Sequence, residues 1–194
     1  MFPRWQGRSY LTNIFDHAKA VKDLIKAGVD CWMSGGTAQA LGVSNSYRLN
    51  KLALFNKLPD RWLVAPVPLE HDAAEPTGFF IACKNDSDRV LFIPDTGFVK
   101  NRFTGVNILA IECNHLEEKL SENILNGSIP AVAGRRTRRN HMSLERVITM
   151  LKSNDLSQCR AIYLLHLSNA NSHEKRMIRA VQEATGIPTK VAEE

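Results

Sequence analysis

Four apolar runs in this chain each end on, or contain, a side chain of a type that binds metal ions. His71 follows WLVAPVPLE, Asp95 follows RVLFIP, His115 follows NILAIECN, and His166 lies within AIYLLHLSN. Runs of this length and composition are typical of β-strands. Because parallel strands end at a common edge of their sheet, we expect these side chains to lie close together. Imidazole and carboxylate groups bind zinc and manganese, so the pattern indicates a candidate metal site.

Each of these residues taken alone has a simpler explanation. A single histidine beside an apolar run is more often a hydrogen-bonded core residue than a ligand. Asp95 in PDTG fits a turn, and Asp16-His17 at the start of a helical pattern fits an N-cap and its neighbour. Their joint occurrence at successive strand ends is what favours a site.

The order of elements predicts a layered α/β fold. An amphipathic helix is expected from His17 to a stop at Gly28, and the pair GFFIAC and VLFIPD has the spacing of a β-hairpin. A second helix is expected over Thr37 to Leu41, and Ser143 is the expected N-cap of a later one. The basic run 135–139 is expected to form a loop. Strands therefore alternate with helices at both ends, around a hairpin-like middle.

Length and composition narrow the class of protein. A chain of 194 residues is expected to form one domain. No apolar run approaches the ~18–20 residues of a membrane span, and the N-terminus lacks a signal-peptide core, so we expect a cytoplasmic protein. The four cysteines show no CxxC spacing, which favours buried structural roles. The net charge of +5 fits a phosphate-bearing partner as well as it fits a solvated basic surface.

Six segments, in this order, resemble the metallo-β-lactamase fold and its tRNase Z-like and exonuclease-like branch: DHAKAV, LEHDAAEPTGF, VLFIPDTGF, LAIECNH, RNHMSLE and LLHLSN. Within that branch the chain is similar to phage and Bacillus proteins related to the cyclic-nucleotide phosphodiesterases that counter bacterial Pycsar defence. The resemblance runs from about residue 10 to the end of the chain. It implies one αββα domain over residues 1–194 and hydrolysis of a phosphodiester, either a cyclic nucleotide or a nucleic acid.

The resemblance also implies a two-metal centre of Zn²⁺, with Mn²⁺ as the alternative. The first metal falls on His71 and the bridging Asp95, whereas the two histidines that open the family's HxHxDH motif are replaced by Thr12 and Ile14. Thr12 is a poor ligand and Ile14 cannot be one, so a single ion is an alternative. The second metal falls on residues that this chain retains: Asp16, His17, Asp95 and His166.

Further residues have implied roles around the metals. Asp16 and His141 are the expected catalytic residues, and His141 is expected on a mobile segment over the site. Helix-capping or surface roles would explain several of these residues equally well. Positions beside the metals or against the substrate fall on Glu112, His115, Arg138 and Arg139.

The altered HxHxDH motif leaves two explanations for the N-terminus. In a shifted reading frame, the codons for residues 11–14 can spell His-Glu-His, so an inserted nucleotide is one explanation and ordinary divergence is the other. On the first explanation, we expect the family's first strands to be missing and the segment before Asp16 to form no strand. An uncovered sheet edge would then expose apolar surface, and we expect a homodimer. A catalytically inactive nucleotide-binding remnant is the alternative to an active hydrolase.

Overall fold

Ten strands and six helices are found in the part of the chain that the computed structural model describes, residues 9–12, 18, 20–58, 62–85 and 88–192. The strands are Ser9–Thr12 (β1), Asp30–Met33 (β2), Leu49–Lys51 (β3), Asn56–Lys57 (β4), Trp62–Pro68 (β5), Thr77–Cys83 (β6), Arg89–Ile93 (β7), Ile108–Glu112 (β8), Ala161–Leu165 (β9) and Thr189–Val191 (β10). The helices are Val21–Lys26 (α1), Gly35–Ala40 (α2), Glu117–Leu125 (α3), Ala131–Asn140 (α4), Leu144–Lys152 (α5) and Glu174–Thr185 (α6). None of these helices is long and apolar enough to cross a membrane.

The strands form two sheets. The small sheet has the order β1-β2-β3, and the large sheet has the order β10-β9-β8-β7-β6-β5-β4. Strand β2 carries Cys31 and Met33 on one face and Trp32 on the other, because successive strand residues point to opposite faces. Trp32 packs against Phe79 of β6, so the two sheets face each other. Cys31 and Met33 pack with Val21 of α1 on the outer face.

The opposite face of the large sheet is covered by helices. Leu109 and Ile111 of β8 belong to the main apolar core, together with Val147 of α5 and Met177 of α6. Helix α5 begins at Ser143, whose hydroxyl accepts a hydrogen bond from the amide of residue 146, as the sequence predicts. The described residues therefore form four layers: helix, sheet, sheet and helix.

The strand directions decide which strand ends meet at one edge of the large sheet. Strands β7, β8 and β9 are parallel neighbours, and β5 points the same way because β5 and β7 are both antiparallel to β6. The carboxyl ends of all four strands therefore meet at one edge. These ends lead directly into residues 71, 95, 113–115 and 166, as expected for a common site.

Two local predictions are wrong. The basic run 135–139 lies within helix α4 rather than in a loop. Arginine is a strong helix former, and Gly134 lets α4 pack closely against Ile124 of α3. The segment before Asp16 was expected to contain no strand, yet Ser9–Thr12 pairs in parallel with Asp30–Met33. A four-residue strand at a sheet edge is too short to show an apolar pattern in the sequence.

Candidate active site

Asp95 and His166 form the first part of the candidate site. Asp95 follows β7, His166 follows β9, and Oδ1 of Asp95 lies 3.0 Å from Nδ1 of His166. His166 has a φ of 54°, a left-handed conformation that is uncommon for residues other than glycine. Its carbonyl oxygen accepts a hydrogen bond of 3.0 Å from Nδ2 of Asn114. The backbone at His166 is thus held in an unfavourable conformation that brings the imidazole to Asp95.

Glu112 and His141 form the second part. Glu112 is the last residue of β8 and is completely buried, and its Oε1 lies 2.5 Å from Nδ1 of His141. Its other oxygen, Oε2, accepts hydrogen bonds from the backbone amides of Thr96 at 2.9 Å and Met142 at 3.2 Å. Because an ionised carboxylate only accepts hydrogen bonds, Nδ1 of His141 carries the hydrogen. This arrangement leaves Nε2 of His141 as the ring atom that can exchange a proton.

The pKa of His141 reflects two opposing influences. Burial lowers the pKa, but the hydrogen bond and negative charge of Glu112, together with the charge of Asp95, raise it above its usual value. Oδ1 of Asp95 lies 3.7 Å from Nδ1 of His141, so one imidazole faces two carboxylates. The imidazolium form of His141 is therefore favoured at this position.

His71 lies at the same edge, after β5. Its ring meets the ring of His141 edge-on, with 5.3 Å between the ring centroids. Burial lowers the pKa of His71, which keeps the imidazole neutral and able to bind a metal ion. The backbone amide of Ala73 donates a hydrogen bond of 3.1 Å to Nδ1 of His71, which fixes the orientation of the ring.

The remaining predicted residues are distributed differently. His115 is almost completely buried, and its Nε2 lies 3.4 Å from Oε2 of Glu117. Arg138 pairs with Glu117 and donates to the hydroxyl of Ser121, whereas Arg139 is exposed. His141 ends helix α4 and is tied to Glu112, and the structure thus places it over the strand ends. Asp16 and His17 lie outside the described residues.

Asp95, Glu112 and His141 together have the composition of a metal site. Each offers one ligand atom, and these atoms lie within 4.8 Å of one another. The oxygens of Glu112 are already engaged by His141 and by two backbone amides, so Glu112 is better suited to orient His141 than to bind an ion. Asp95 and His166 are the better ligands, because an aspartate oxygen and an imidazole nitrogen already face each other there.

The pairing of Glu112 with His141 is the feature that the sequence did not predict. The two residues are 29 positions apart, and no spacing rule links them. The available signal was a carboxylate at the end of a buried strand, since a buried charged group is rare without a partner.

Comparison with known proteins supports the fold. No protein-family model and no curated protein sequence matches the chain. A solved structure described as a new diphosphatase from the PhnP family matches with a TM-score of 0.59 and 12% identity, covering 96% of this chain and 68% of its own. An isothiocyanate hydrolase from Delia radicum gut bacteria matches with a TM-score of 0.64 and 14% identity, covering 96% of this chain and 74% of its own. Both have the metallo-β-lactamase fold, so the predicted αββα fold is confirmed.

Proposed function

We propose that this protein is a metal-dependent hydrolase of phosphodiesters. The observation that carries the proposal is the convergence of Asp95, Glu112, His141 and His166 at one edge of the large sheet. Carboxylate and imidazole groups at such an edge are the ligands and proton carriers that hydrolysis of a stable ester needs. The two structural neighbours are named as hydrolases, which agrees with this class of reaction.

Asp95 and His166 are the residues proposed to hold an ion. Asp16 and His17, which lie outside the described residues, are proposed to complete the ligand set. His71 and Asp95 are proposed to contribute to a second ion. Zinc and manganese both suit this donor set. Such an ion supplies Lewis acidity, which polarises a phosphoryl oxygen and makes water a stronger nucleophile.

Glu112 and His141 are proposed to handle the proton of the reaction. Glu112 holds the His141 ring with Nδ1 protonated and raises the pKa of the imidazole, which favours the form in which Nε2 also carries a proton. As water attacks phosphorus and releases a proton to solvent, the ester P–O bond breaks and Nε2 donates its proton to the leaving oxygen. His141 then regains a proton from solvent, and Glu112 keeps the ring in place throughout.

A catalytically inactive nucleotide-binding protein is the second candidate. The observation that favours it is the replacement of two family histidines by Thr12 and Ile14. An ion that lacks two imidazole ligands is expected to bind more weakly, so hydrolysis could be lost while binding persists. Metal content measured together with turnover separates the two candidates.

The test is elemental analysis of the purified protein and hydrolysis of bis-p-nitrophenyl phosphate with added Zn²⁺ or Mn²⁺. We expect bound metal and metal-dependent turnover, and we expect Asp95→Ala to lose both, with turnover reduced at least about 100-fold. Asp155→Asn is the matched control, because Asp155 is an exposed carboxylate after α5 that accepts a hydrogen bond from the backbone amide of Ser157. Metal-bound protein without turnover would support the second candidate, and unchanged metal content and turnover in Asp95→Ala would refute both assignments of the site.

A homodimeric state and a cytoplasmic location belong to the same proposal. Tyr47, Leu54 and Phe55 lie close together in the sequence and are 85%, 75% and 79% exposed. Large apolar side chains concentrated in this way favour contact with another chain. A second copy of this protein is the proposed partner.

A further inference from the structure

A groove lined by arginines runs along helix α4 beside the candidate site. Its volume is about 770 Å³. Of the six described residues that line it, five are arginines and none is acidic. The lining residues are Val132, Arg135, Arg136, Arg138, Arg139 and Arg146. We call this surface the arginine groove.

Three of the five arginines are held by the protein itself. Nε of Arg136 donates to Asp72 at 2.8 Å, Arg138 pairs with Glu117, and Nη1 of Arg146 donates to the carbonyl oxygens of residues 97 and 138. Within the described ranges, the guanidinium groups of Arg135 and Arg139 have no hydrogen-bond or ion-pair partner. The groove therefore combines fixed positive charges with two guanidinium groups that are available to a ligand.

The arginine groove is joined directly to the candidate active site. His141 ends helix α4, and the arginine run immediately precedes it. A Cβ atom at Gly97 would lie 1.8 Å from the carbonyl oxygen of Arg139, so the loop that follows Asp95 touches the end of α4. Arg136 pairs with Asp72, the neighbour of His71. A ligand in the groove would therefore extend from the metal-binding edge.

A second cavity continues the surface beyond Arg146, which lines both. This cavity has a volume of about 410 Å³ and includes Phe98, Lys100 and Arg102. Phe98 is 55% exposed, so its ring is accessible to a ligand. Arg102 has no ion-pair or hydrogen-bond partner in the described part of the chain. Among the described residues that line this cavity, Glu145 is the one acidic residue, and Lys100 is paired with Glu70. An exposed aromatic ring therefore lies beside the side chains of Arg102 and Arg146, next to the arginine groove.

We propose that this surface binds a single-stranded nucleic acid, whose phosphates contact Arg135, Arg139 and Arg102 and one of whose bases stacks on Phe98. A guanidinium group matches the geometry of a phosphate, and base stacking on an aromatic ring does not depend on sequence. A cyclic mononucleotide carries a single phosphate and cannot use cations spread over two cavities. The inference rests on the proposed function for the statement that the bound strand is also the substrate.

The experiment measures binding, not turnover. The fluorescence anisotropy of a labelled oligothymidylate is followed over a range of KCl concentrations. Its length of about 16 nucleotides is the upper site size of one OB fold, a common single-strand-binding domain. In the Arg135→Ala/Arg139→Ala variant, we expect the slope of log affinity against log salt to fall in magnitude by about 1.4, since each single-strand phosphate contact contributes about 0.7. Phe98→Ala should weaken binding about fivefold or more without changing the slope.

The control is Arg179→Ala, because Arg179 is an exposed arginine on α6 that pairs with Glu183. It should bind the oligonucleotide like the parent protein. Arg135, Arg139 and Phe98 are exposed, so their substitution is not expected to unfold the protein.

Three outcomes would overturn the proposal. The first is parental affinity and slope in the double arginine variant, and the second is an equal loss in Arg179→Ala. The third is binding that is indifferent to Phe98 and equally strong to vesicles of anionic lipid, which would indicate a membrane surface instead. Binding is measured without turnover, so oligonucleotide binding by a protein that hydrolyses no ester would refute the proposed function alone.

Discussion

Nδ1 of His141 lies 2.5 Å from Oε1 of Glu112, and Glu112 is completely buried at the end of β8. The carboxylate is fixed by the amides of Thr96 and Met142, so it cannot turn away from the ring. The fixed negative charge raises the pKa of His141, and protonated His141 in turn stabilises the fold. This contribution is fully present below the ordinary histidine pKa of about 6.5 and is lost as pH rises through the higher pKa of the folded protein.

Glu112→Gln should lower the pKa of His141 and remove this pH dependence. We expect the titration midpoint of the His141 ring, followed by NMR, to fall, and the free energy of unfolding below pH 6.5 to drop by about 1–3 kcal/mol. The rate of any ester hydrolysis should begin to fall at a lower pH than it does in the parent protein. Glu183→Gln removes an exposed carboxylate from α6 and should change none of these. An unchanged His141 midpoint in Glu112→Gln would refute the assigned role of Glu112.

The left-handed conformation of His166 predicts that two substitutions at this position will have the same effect on metal binding but different effects on stability. His166→Gly and His166→Ala should both reduce metal content, because both remove the imidazole that faces Asp95. In the presence of a chelator, the glycine variant should be more stable than the alanine variant by about 1 kcal/mol, since glycine adopts a φ of 54° without strain. Thermal melting should show a difference of about 2–4 °C for a chain of this size. Equal melting temperatures would contradict the strain.

The contact between Gly97 and helix α4 predicts a strong effect of a small substitution. In Gly97→Ala, the new Cβ would meet the backbone of Arg139, which cannot move aside as a side chain end can. We expect a loss of about 1–3 kcal/mol in the free energy of unfolding, measured by denaturant titration. At Gly35, where a Cβ would lie 3.6 Å from Oε2 of Glu75, alanine should be tolerated. Equal stability of the two variants would mean that α4 and the loop after Asp95 separate easily.

Asp72 limits the charge that the arginine groove can offer. Its hydrogen bond with Arg136 lowers the pKa of Asp72 to about 2, so the carboxylate stays ionised and the pair persists at ordinary pH. Asp72→Asn should release Arg136 and tighten oligonucleotide binding about two- to fivefold, the size expected for an exposed ion pair. Asp155→Asn makes the same change in net charge on the loop after α5. An equal gain in that control would show that only net charge matters.

The exposed residues Leu54 and Phe55 predict the oligomeric state. We expect the parent protein to be a dimer by light scattering, because these neighbouring apolar side chains are both exposed between β3 and β4. The Leu54→Lys/Phe55→Lys variant should be monomeric. Leu125→Lys places the same charge at another exposed leucine, on α3, and should remain dimeric. A monomeric parent protein would remove the basis for a homodimer.

The positions of the strand ends could be predicted from the sequence. Asp95 and His166 each follow an apolar run, and parallel strands must bring the two ends together, so a local pattern fixed a long-range contact. The hairpin of β6 and β7 and the N-cap at Ser143 were predicted for the same reason, since each depends on a few neighbouring residues.

Other features depend on contacts between distant residues and left little local signal. The basic run at 135–139 is polar on every side in the sequence, so arginine's helix propensity is its only local signal, and the close approach of Gly134 to Ile124 is a contact between separate helices. The exposure of Phe98 is likewise set by what surrounds it, since the residue alone predicts burial.

The contact between Gly97 and Arg139 also has a thermodynamic consequence. Because Gly97 lies against the backbone of Arg139, no flexible side chain can absorb a displacement there. A shift of α4 would therefore move the loop that carries Asp95. The proposed binding of a strand to the arginine groove and the proposed binding of an ion at Asp95 would therefore be linked equilibria. If one ligand changes the affinity of the other by some factor, the second ligand must change the affinity of the first by the same factor, because the coupling free energy between two sites is reciprocal.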